Sequence, residues 1–187
     1  MTSQVKIRIG QEEDLEQLID LVMIVIEDMD LPLLKEIGKE KTKAMLMESS
    51  KNSGDRYYFR RAIVATVDEK IAGVLFGYPN EDEVKIDKSF NQISPKPLFN
   101  SKETYGNEWY IDTLVVSPNY RGKGIAKKLI QSVPKFAGNV YKDIIGLNVD
   151  IDNPIAKNLY KSCGFVKVSE TTIGSHSYDH MYWRYEK

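Results

Sequence analysis

Apolar and polar residues alternate along this chain with two different periods, which predicts strands interleaved with helices. Near the N-terminus, Val5, Ile7 and Ile9 alternate with charged residues, as expected for a half-buried strand. Helical spacing, with residues typical of helix starts and ends, predicts helices at 15–26, 31–50, 122–137 and 153–162. Apolar segments bounded by turn residues predict further strands at 62–67, 71–78, 108–116, 144–149, 165–170 and 178–185.

The segment from 79 to about 107 interrupts this pattern. It carries three prolines and many polar residues with little periodicity, which predicts a long loop or insertion. We therefore expect one domain over residues 1–187 with a loop insertion at about 79–107. The order of the elements favours an α/β fold in which helices pack against one central mixed sheet.

The charge balance and the cysteine content limit the function classes. The chain has 187 residues with 26 Lys plus Arg and 27 Asp plus Glu, so we expect no nucleic-acid partner. The N-terminal residues lack the pattern of a signal peptide, and the longest early apolar run, 21–26, is too short to span a membrane. The single cysteine, Cys163, agrees with a cytoplasmic location. No cluster of His, Cys and Asp has the spacing of a metal site.

A glycine-bearing turn at residues 119–126 is the first candidate site. Gly122 and Gly124 allow a tight turn and a close approach of a ligand to the backbone where the helix 122–137 begins. The free N–H groups of that first helical turn, with the helix dipole behind them, favour phosphate or pyrophosphate. The spacing fits neither a Walker loop nor a dinucleotide-binding fingerprint. The alternative is a turn before a surface helix whose lysines are merely solvated.

The helix at 153–162 is the second candidate site. Pro154 suits the first helical position and Asn153 suits the cap that precedes it. At about 100° per residue, Asn153 and Tyr160 share one face, whereas Ile155 and Leu159 are expected on the core face. Asn153 fits helix capping as well as ligand contact, and Tyr160 fits a structural tyrosine as well as a functional one.

These two segments together resemble the GNAT superfamily of acyl-CoA-dependent N-acetyltransferases. The resemblance is carried by LVVSPNYRGKGIA at 114–126, by Asn148 and Val149, by NPIAKNLY at 153–160 and by CGF at 163–165. Asn119 stands where the family's motif often has Gln or Arg, although binding through the backbone does not need that side chain. The resemblance implies a mostly antiparallel, splayed sheet flanked by helices, in which the strand at 114–116 diverges from the strand at 144–149.

The resemblance also implies acetyl-CoA as the acetyl donor. Backbone groups of Leu114 and Val116 would pair with the pantetheine amides much as an added strand would. Asn153 would contact the same arm, and Lys157 or Lys161 would approach the outer phosphates. The pyrophosphate would be held by the backbone N–H groups of Arg121, Gly122, Lys123, Gly124, Ile125 and Ala126.

The implied reaction is direct attack of an amine on the thioester in a ternary complex. A backbone N–H near Val115 or Val116 would stabilise the developing oxyanion. Tyr160 would protonate the leaving thiolate, and Asp112, on an otherwise apolar strand, is the first candidate for the general base. Asp112 would otherwise pair locally, and the other candidates for the base are Glu108, His176, His180 and a water chain.

The expected acceptor is a primary amine on a small molecule or a peptide, and a homodimer is compatible with the sequence. The first two helices, the 79–107 insertion and the turn at 171–177 would meet the acceptor. A second hypothesis is a non-catalytic acyl-CoA-binding or sensing domain with the same fold. A third is a protein that binds phosphate ligands in general.

Overall fold

The computed structural model describes residues 4–137 and 143–184, which contain one seven-stranded sheet with helices on both of its faces. Neighbouring strands follow the order β1-β2-β3-β4-β5-β7-β6, and only the central β4–β5 pair is parallel. The strands are β1 (Val5–Ile9), β2 (Ala62–Val67), β3 (Lys70–Pro79), β4 (Trp109–Val116), β5 (Ile144–Asp150), β6 (Val166–Ile173) and β7 (His176–Arg184).

Six α-helices lie in the described part of the chain. The helices are α1 (Leu15–Asp28), α2 (Pro32–Ile37), α3 (Lys39–Ser49), α4 (Lys88–Ile93), α5 (Ile125–Phe136) and α6 (Pro154–Ser162). Within the described ranges, no helix combines the length and the apolar character needed to cross a membrane.

Two apolar layers enclose the sheet, because successive side chains of a strand point to opposite faces. In β2, Ala62 and Val64 pack with α1 on one face, whereas Ile63 and Ala65 pack with α5 on the other. Since helices cover both faces, every residue of β2 is buried. This double burial explains why β2 is a continuous apolar run rather than an alternating one.

The predicted α/β fold and its mostly antiparallel mixed sheet are confirmed. The region 31–50 is two helices rather than one, because Gly38 adopts a φ of 81° and separates α2 from α3. The segment 79–107, predicted as a loop, contains a short 3₁₀ turn at Asn80–Asp82 as well as α4. Both of these elements are shorter than the window that reveals helical periodicity. Tyr185, the end of the last predicted strand, lies outside the described residues.

The contact between β5 and the side chain of Glu108 gives a stability prediction. A Cβ added at Gly146 would lie 1.6 Å from Glu108 Oε2, so Gly146→Ala forces a buried carboxylate to move. We expect a loss of about 3 kcal/mol in the free energy of unfolding, measured by urea denaturation. Gly54→Ala, in an exposed turn, is the control and should change it by less than about 0.5 kcal/mol. Equal stabilities of the two variants would contradict the tight packing.

Candidate active site

A cleft of about 540 Å³ opens where β4 and β5 separate. One wall comes from β4, β5 and the start of α6, and the other comes from the end of α1 and the segment that contains Phe99 and Glu103. The cleft therefore joins the part of the chain that carries the two motifs to the part that was predicted as an insertion.

The two central strands separate because their pairing is short. Only Trp109–Ile111 pairs with β5, whereas β4 continues alongside β3 as far as Val116. The β3–β4 register also skips Asp112, which is an extra, bulged residue of β4. A bulge bends and twists its strand, so β4 turns away from β5 at this point. The edge of β4 at Leu114–Val116 thus keeps backbone groups that an extended ligand can pair with.

The glycine turn follows directly from this open edge. Gly122 and Gly124 have φ values of 75° and 72°, which are conformations that favour glycine, and α5 begins only at Ile125. A Cβ added at either glycine would meet nothing within 4 Å, so the space beside the turn is open. The N-terminus of α5 has no side-chain cap. Its first N–H groups therefore keep no side-chain partner, as an anion site at the positive end of the helix dipole requires, and the binding of a phosphate there stays a prediction.

The basic side chains of this turn are exposed and are partly held by local contacts. Arg121 Nε donates to the carbonyl oxygen of Val116 at 3.3 Å, and Lys123 Nζ lies 5.2 Å from the centre of the Tyr120 ring. Neither contact is strong for an exposed group. Both side chains are thus available to an anion at the turn.

The start of α6 lies across the cleft from β4. Asn153 Oδ1 accepts a hydrogen bond from the N–H of Ala156 at 3.0 Å, which confirms its capping role. Its contact with a pantetheine arm stays a prediction, and the side-chain amide N–H₂ is the group left to make it. The expectation that Ile155 faces the core is wrong, because Ile155 is 83% exposed while Leu159 packs inward.

Tyr160 lines the same cleft, as the motif predicted. Burial raises the pKa of Tyr160 to about 12, and the neighbouring Cys163 adds to this shift. The phenol therefore stays protonated at neutral pH, where it can donate a hydrogen bond to a sulfur that develops negative charge.

Lys157, which does not line the cleft, is held by an ion pair. Its Nζ lies 2.6 Å from Asp179 Oδ2, and Lys167 pairs with the same carboxylate at 2.8 Å. This ion pair ties α6 to the last hairpin. A contact between Lys157 and an outer phosphate stays a prediction.

A buried arginine, which sequence reasoning missed, holds three carboxylates together beside the cleft. Arg56 Nε and Nη2 donate to the two oxygens of Asp87, each at 2.8 Å. Its Nη1 donates to Asp112 Oδ1 and, at 3.3 Å, to Glu103 Oε2. The hydroxyl of Thr113 donates to the second oxygen of Asp112 at 2.9 Å. Asp112 therefore lines the cleft as predicted, but both of its oxygens have partners, and its role as the base stays a prediction.

The electrostatics of this cluster keep the arginine charged. Burial acts to lower the pKa of Arg56, but Asp112 and Glu103 more than offset this effect and the pKa is raised above its usual value. One positive charge therefore faces three carboxylates.

Glu103 is the second residue that the sequence did not single out. It lines the cleft although it is only 7% exposed. Its Oε1 has no hydrogen-bond partner in residues 4–137 and 143–184. Burial raises the pKa of Glu103 to about 7, with further contributions from Asp112, Asp87 and Glu83 against the lowering effect of Arg56.

Glu108, the second candidate for the base, is completely buried behind the cleft. Its Oε2 lies 3.0 Å from His180 Nε2, and its Oε1 accepts from the N–H of Tyr105 at 2.6 Å. His180 Nδ1 lies 2.5 Å from Asn148 Oδ1, and Asn148 donates to the carbonyl oxygen of Glu103 at 2.9 Å. This network fixes the backbone of Glu103. Asn148 lines the cleft, whereas Glu108 and His180 do not.

The charges along the cleft are mostly negative. His176, an alternative base, lies at its rim with Nδ1 2.9 Å from Asp150 Oδ2. No lysine or arginine belongs to the described lining, and no set of three metal-binding side chains occurs in the described ranges. The acidic residues that line the cleft are Asp28, Glu103, Asp112, Asp150 and Asp152.

Known proteins with the same arrangement identify the family. A crystal structure described as that of an acetyltransferase is 38% identical, has a TM-score of 0.86, and is matched over 97% of this chain and 100% of its own. The N-alpha-acetyltransferase 30 of Saccharomyces cerevisiae is 39% identical over 59 residues, which are 32% of this chain and 34% of that protein. The spermidine N(1)-acetyltransferase of Vibrio cholerae is 37% identical over 57 residues, which are 29% and 32% of the two chains.

The match with the two curated relatives thus spans only about a third of their lengths. A family model described as the acetyltransferase (GNAT) family covers much more, because it matches residues 29–165. This range contains the open edge of β4, the glycine turn, Tyr160 and the buried arginine. The chain therefore belongs to the GNAT family of acetyltransferases.

Proposed function

We propose that this protein transfers the acetyl group of acetyl-CoA to a primary amine that binds as a cation. The observation that carries this proposal is the continuity of the cleft. The unpaired edge of β4 leads at one end into the glycine turn and lies at the other beside an acidic pocket. A long anionic donor and a cationic acceptor can thus approach each other from opposite ends.

The residues present fit a CoA molecule. The open space at Gly122 and Gly124 and the uncapped start of α5 suit a pyrophosphate, and the edge at Leu114–Val116 suits the amides of pantetheine. When bound, acetyl-CoA would supply a thioester whose carbonyl carbon is open to a neutral amine. Backbone N–H groups of β4 would stabilise the oxygen of that carbonyl as it becomes negative.

The proton inventory of the reaction defines the tasks of the side chains. The acceptor ammonium gives one proton to a base, and its nitrogen then bonds to the acetyl carbon as the carbon–sulfur bond breaks. The sulfur leaves with the bonding electron pair and takes a proton from the hydroxyl of Tyr160. The nitrogen then gives its second proton to Tyr160 and restores the hydroxyl. The products are an amide, a thiol and one proton released to solvent.

The raised pKa of Tyr160 refines its part in this step. A phenol with a pKa of about 12 is a weaker acid than a thiol, whose pKa is about 8.5. Complete transfer from the isolated phenol is therefore unfavourable. Tyr160 acts as a hydrogen-bond donor that stabilises the leaving sulfur, and the proton passes as the nitrogen loses its own.

The acidic cleft supports a cationic acceptor. Five carboxylates face a space without lysine or arginine in its described lining, so a positive amine gains electrostatic energy there. The names of two relatives point to the same chemistry, since one is an N-alpha-acetyltransferase and the other a spermidine N(1)-acetyltransferase. Small polyamines and the amino groups of peptides are therefore the first acceptors to test.

Two measurements separate this proposal from its alternatives. Thermal stability is followed with CoA and with ATP at equal concentrations, and we expect only CoA to raise Tm. Acetyl-CoA turnover is then measured with spermidine, 1,5-diaminopentane, glucosamine, a lysine peptide and a peptide with a free N-terminus. Tight CoA binding without turnover on any amine would favour a sensing domain. Equal stabilisation by ATP would favour a general phosphate binder.

A further inference from the structure

The unpartnered oxygen of Glu103 is the feature of the cleft that the family motifs leave unexplained. A carboxylate oxygen loses its hydration when it is buried, and this cost is large unless a donor replaces the water. Glu103 Oε1 has no such donor in the described residues, whereas Oε2 receives only the long 3.3 Å bond from Arg56. Because Oε1 is itself closed to solvent, a proton is the partner that satisfies it best.

The net charge of the surrounding cluster also favours a proton or a cation at Glu103. Arg56 carries one positive charge and pairs with Asp87, Asp112 and Glu103. When all three carboxylates are ionised, the net charge of the cluster is therefore −2. A proton on Glu103 or an ammonium beside it reduces this excess. Transfer of a proton from that ammonium to Glu103 leaves the total charge of the pocket unchanged, so the step separates no charge in a buried site.

The two carboxylates first considered as the base, Asp112 and Glu108, do not offer a free acceptor oxygen in the cleft. Arg56 and Thr113 occupy the two oxygens of Asp112. His180 and the N–H of Tyr105 occupy those of Glu108, which does not line the cleft. Glu103 alone among these three combines a position in the lining with an unoccupied oxygen.

The position of Glu103 is also well defined. Its carbonyl oxygen is held by Asn148, and the N–H of Glu103 donates to Glu83 Oε1 at 2.5 Å. Such support keeps a catalytic group in one place. The titratable groups that act on it from neighbouring elements are Arg56, Asp112, Asp87, Glu83, Tyr57, Tyr78, Tyr110 and Tyr178.

We propose that Glu103 is the catalytic base, whose carboxylate takes one proton from the acceptor ammonium before the nitrogen attacks. This inference rests on the proposed function, since it assigns a group to the deprotonation step of that reaction. The nitrogen keeps its electron pair for the acetyl carbon, and Glu103 later returns the proton to solvent. Asp112 then holds Arg56 and the bulge of β4 in place and does not receive the proton.

The pH dependence follows from the raised pKa of Glu103, which is about 7. The carboxylate form is the active one, so kcat/KM should rise with pH through about 7 and then level off until the amine itself loses its proton. Without this carboxylate the bound amine must already be neutral. The variant's kcat/KM should then rise with pH without a plateau between pH 7 and the pKa of the amine.

The test compares Glu103→Gln with Asp112→Asn and with Glu13→Gln, an exposed control just before α1. The substrate is the panel amine that the unaltered protein turns over fastest. We expect Glu103→Gln to lower kcat/KM at neutral pH roughly 100-fold and to remove the inflection near 7, while CoA still raises Tm. Asp112→Asn should keep an inflection, moved to lower pH because Asp112 helps to raise the pKa of Glu103, and Glu13→Gln should match the unaltered protein.

A second readout does not depend on turnover. In protein labelled with ¹³C-glutamate and saturated with CoA, one carboxyl resonance should titrate near pH 7 and be missing from Glu103→Gln. If the glutamine variant fails to fold, Glu103→Asp retains the carboxylate and should keep the inflection with a reduced rate. An Asp variant with an unaltered rate would overturn the assignment.

The outcomes also separate this inference from the proposed function. Turnover by the unaltered protein with an inflection that survives in Glu103→Gln would overturn the role of Glu103 and leave acetyl transfer intact. A Glu103 carboxyl that titrates at the ordinary value of about 4.3 would do the same. CoA binding without turnover on any amine would overturn both.

Discussion

Gly124→Glu should abolish CoA binding by this protein. The glycine has a φ of 72° at the start of α5, where a side chain is strained and a carboxylate would stand in the anion site. Two negative groups cannot share the few N–H donors of one helical turn. We expect the Kd for CoA, measured by calorimetry, to rise at least about 100-fold, which corresponds to roughly 2.7 kcal/mol.

Gly38→Glu is the matched control for Gly124→Glu. Gly38 has a φ of 81°, precedes α3 and has open space around it, so the charge is again added at a helix N-terminus. Its ψ of 165° makes a side chain more strained there than at Gly124, whose ψ is 12°. It does not line the cleft. The control should therefore lose at least as much stability as Gly124→Glu and still bind CoA as the unaltered protein does. A Gly124→Glu protein that retained CoA binding would show that the glycine turn is not the pyrophosphate site.

Tyr160→Phe should lower kcat roughly 100-fold and leave the affinity for CoA nearly unchanged. The substitution removes one hydrogen-bond donor at the leaving sulfur, whereas the proposed binding of CoA depends on backbone groups. A pKa of about 12 keeps the tyrosine protonated over the usual assay range, so the loss should not vary with pH near neutrality. Steady-state kinetics and calorimetry measure the two quantities on the same preparation.

Tyr58→Phe provides the comparison, because Tyr58 is also partly buried but does not line the cleft. It should keep the kcat of the unaltered protein. If Tyr160→Phe also turned over at the unaltered rate, the hydrogen bond to the sulfur would come from another group. A loss that appeared only in Kd would make Tyr160 a binding residue instead.

The sequence was a good guide to the CoA half of the cleft because its signals are local. A glycine turn, a helix start and a capped helix each need only residues that are close in sequence, so spacing alone reveals them. Gly122, Gly124 and Asn153 lie where the motifs predicted, and Tyr160 lines the cleft. The fold followed for the same reason, since most strands are long apolar runs between clear turns.

The acceptor half was not predictable because its contacts are distant in sequence. Arg56 meets Asp112 across 56 residues and Glu103 across 47, and no periodic pattern marks any of these positions. Glu103 also lies in the segment that lacked helical or strand spacing. Ile155 was misplaced for a related reason, because the core face of a short helix depends on what packs against it.

Because β4 pairs with β5 over only a short length, two different segments of the chain line the two parts of the cleft. In the proposed function, the donor binds to groups between residues 114 and 160, which are mostly backbone atoms and tolerate little change of conformation. In the same proposal, the acceptor binds to side chains from the end of α1, from Tyr57 next to Arg56 and from the segment around Glu103. Evolution or an engineer can therefore exchange the second stretch to recognise new amines while the first continues to serve the same donor.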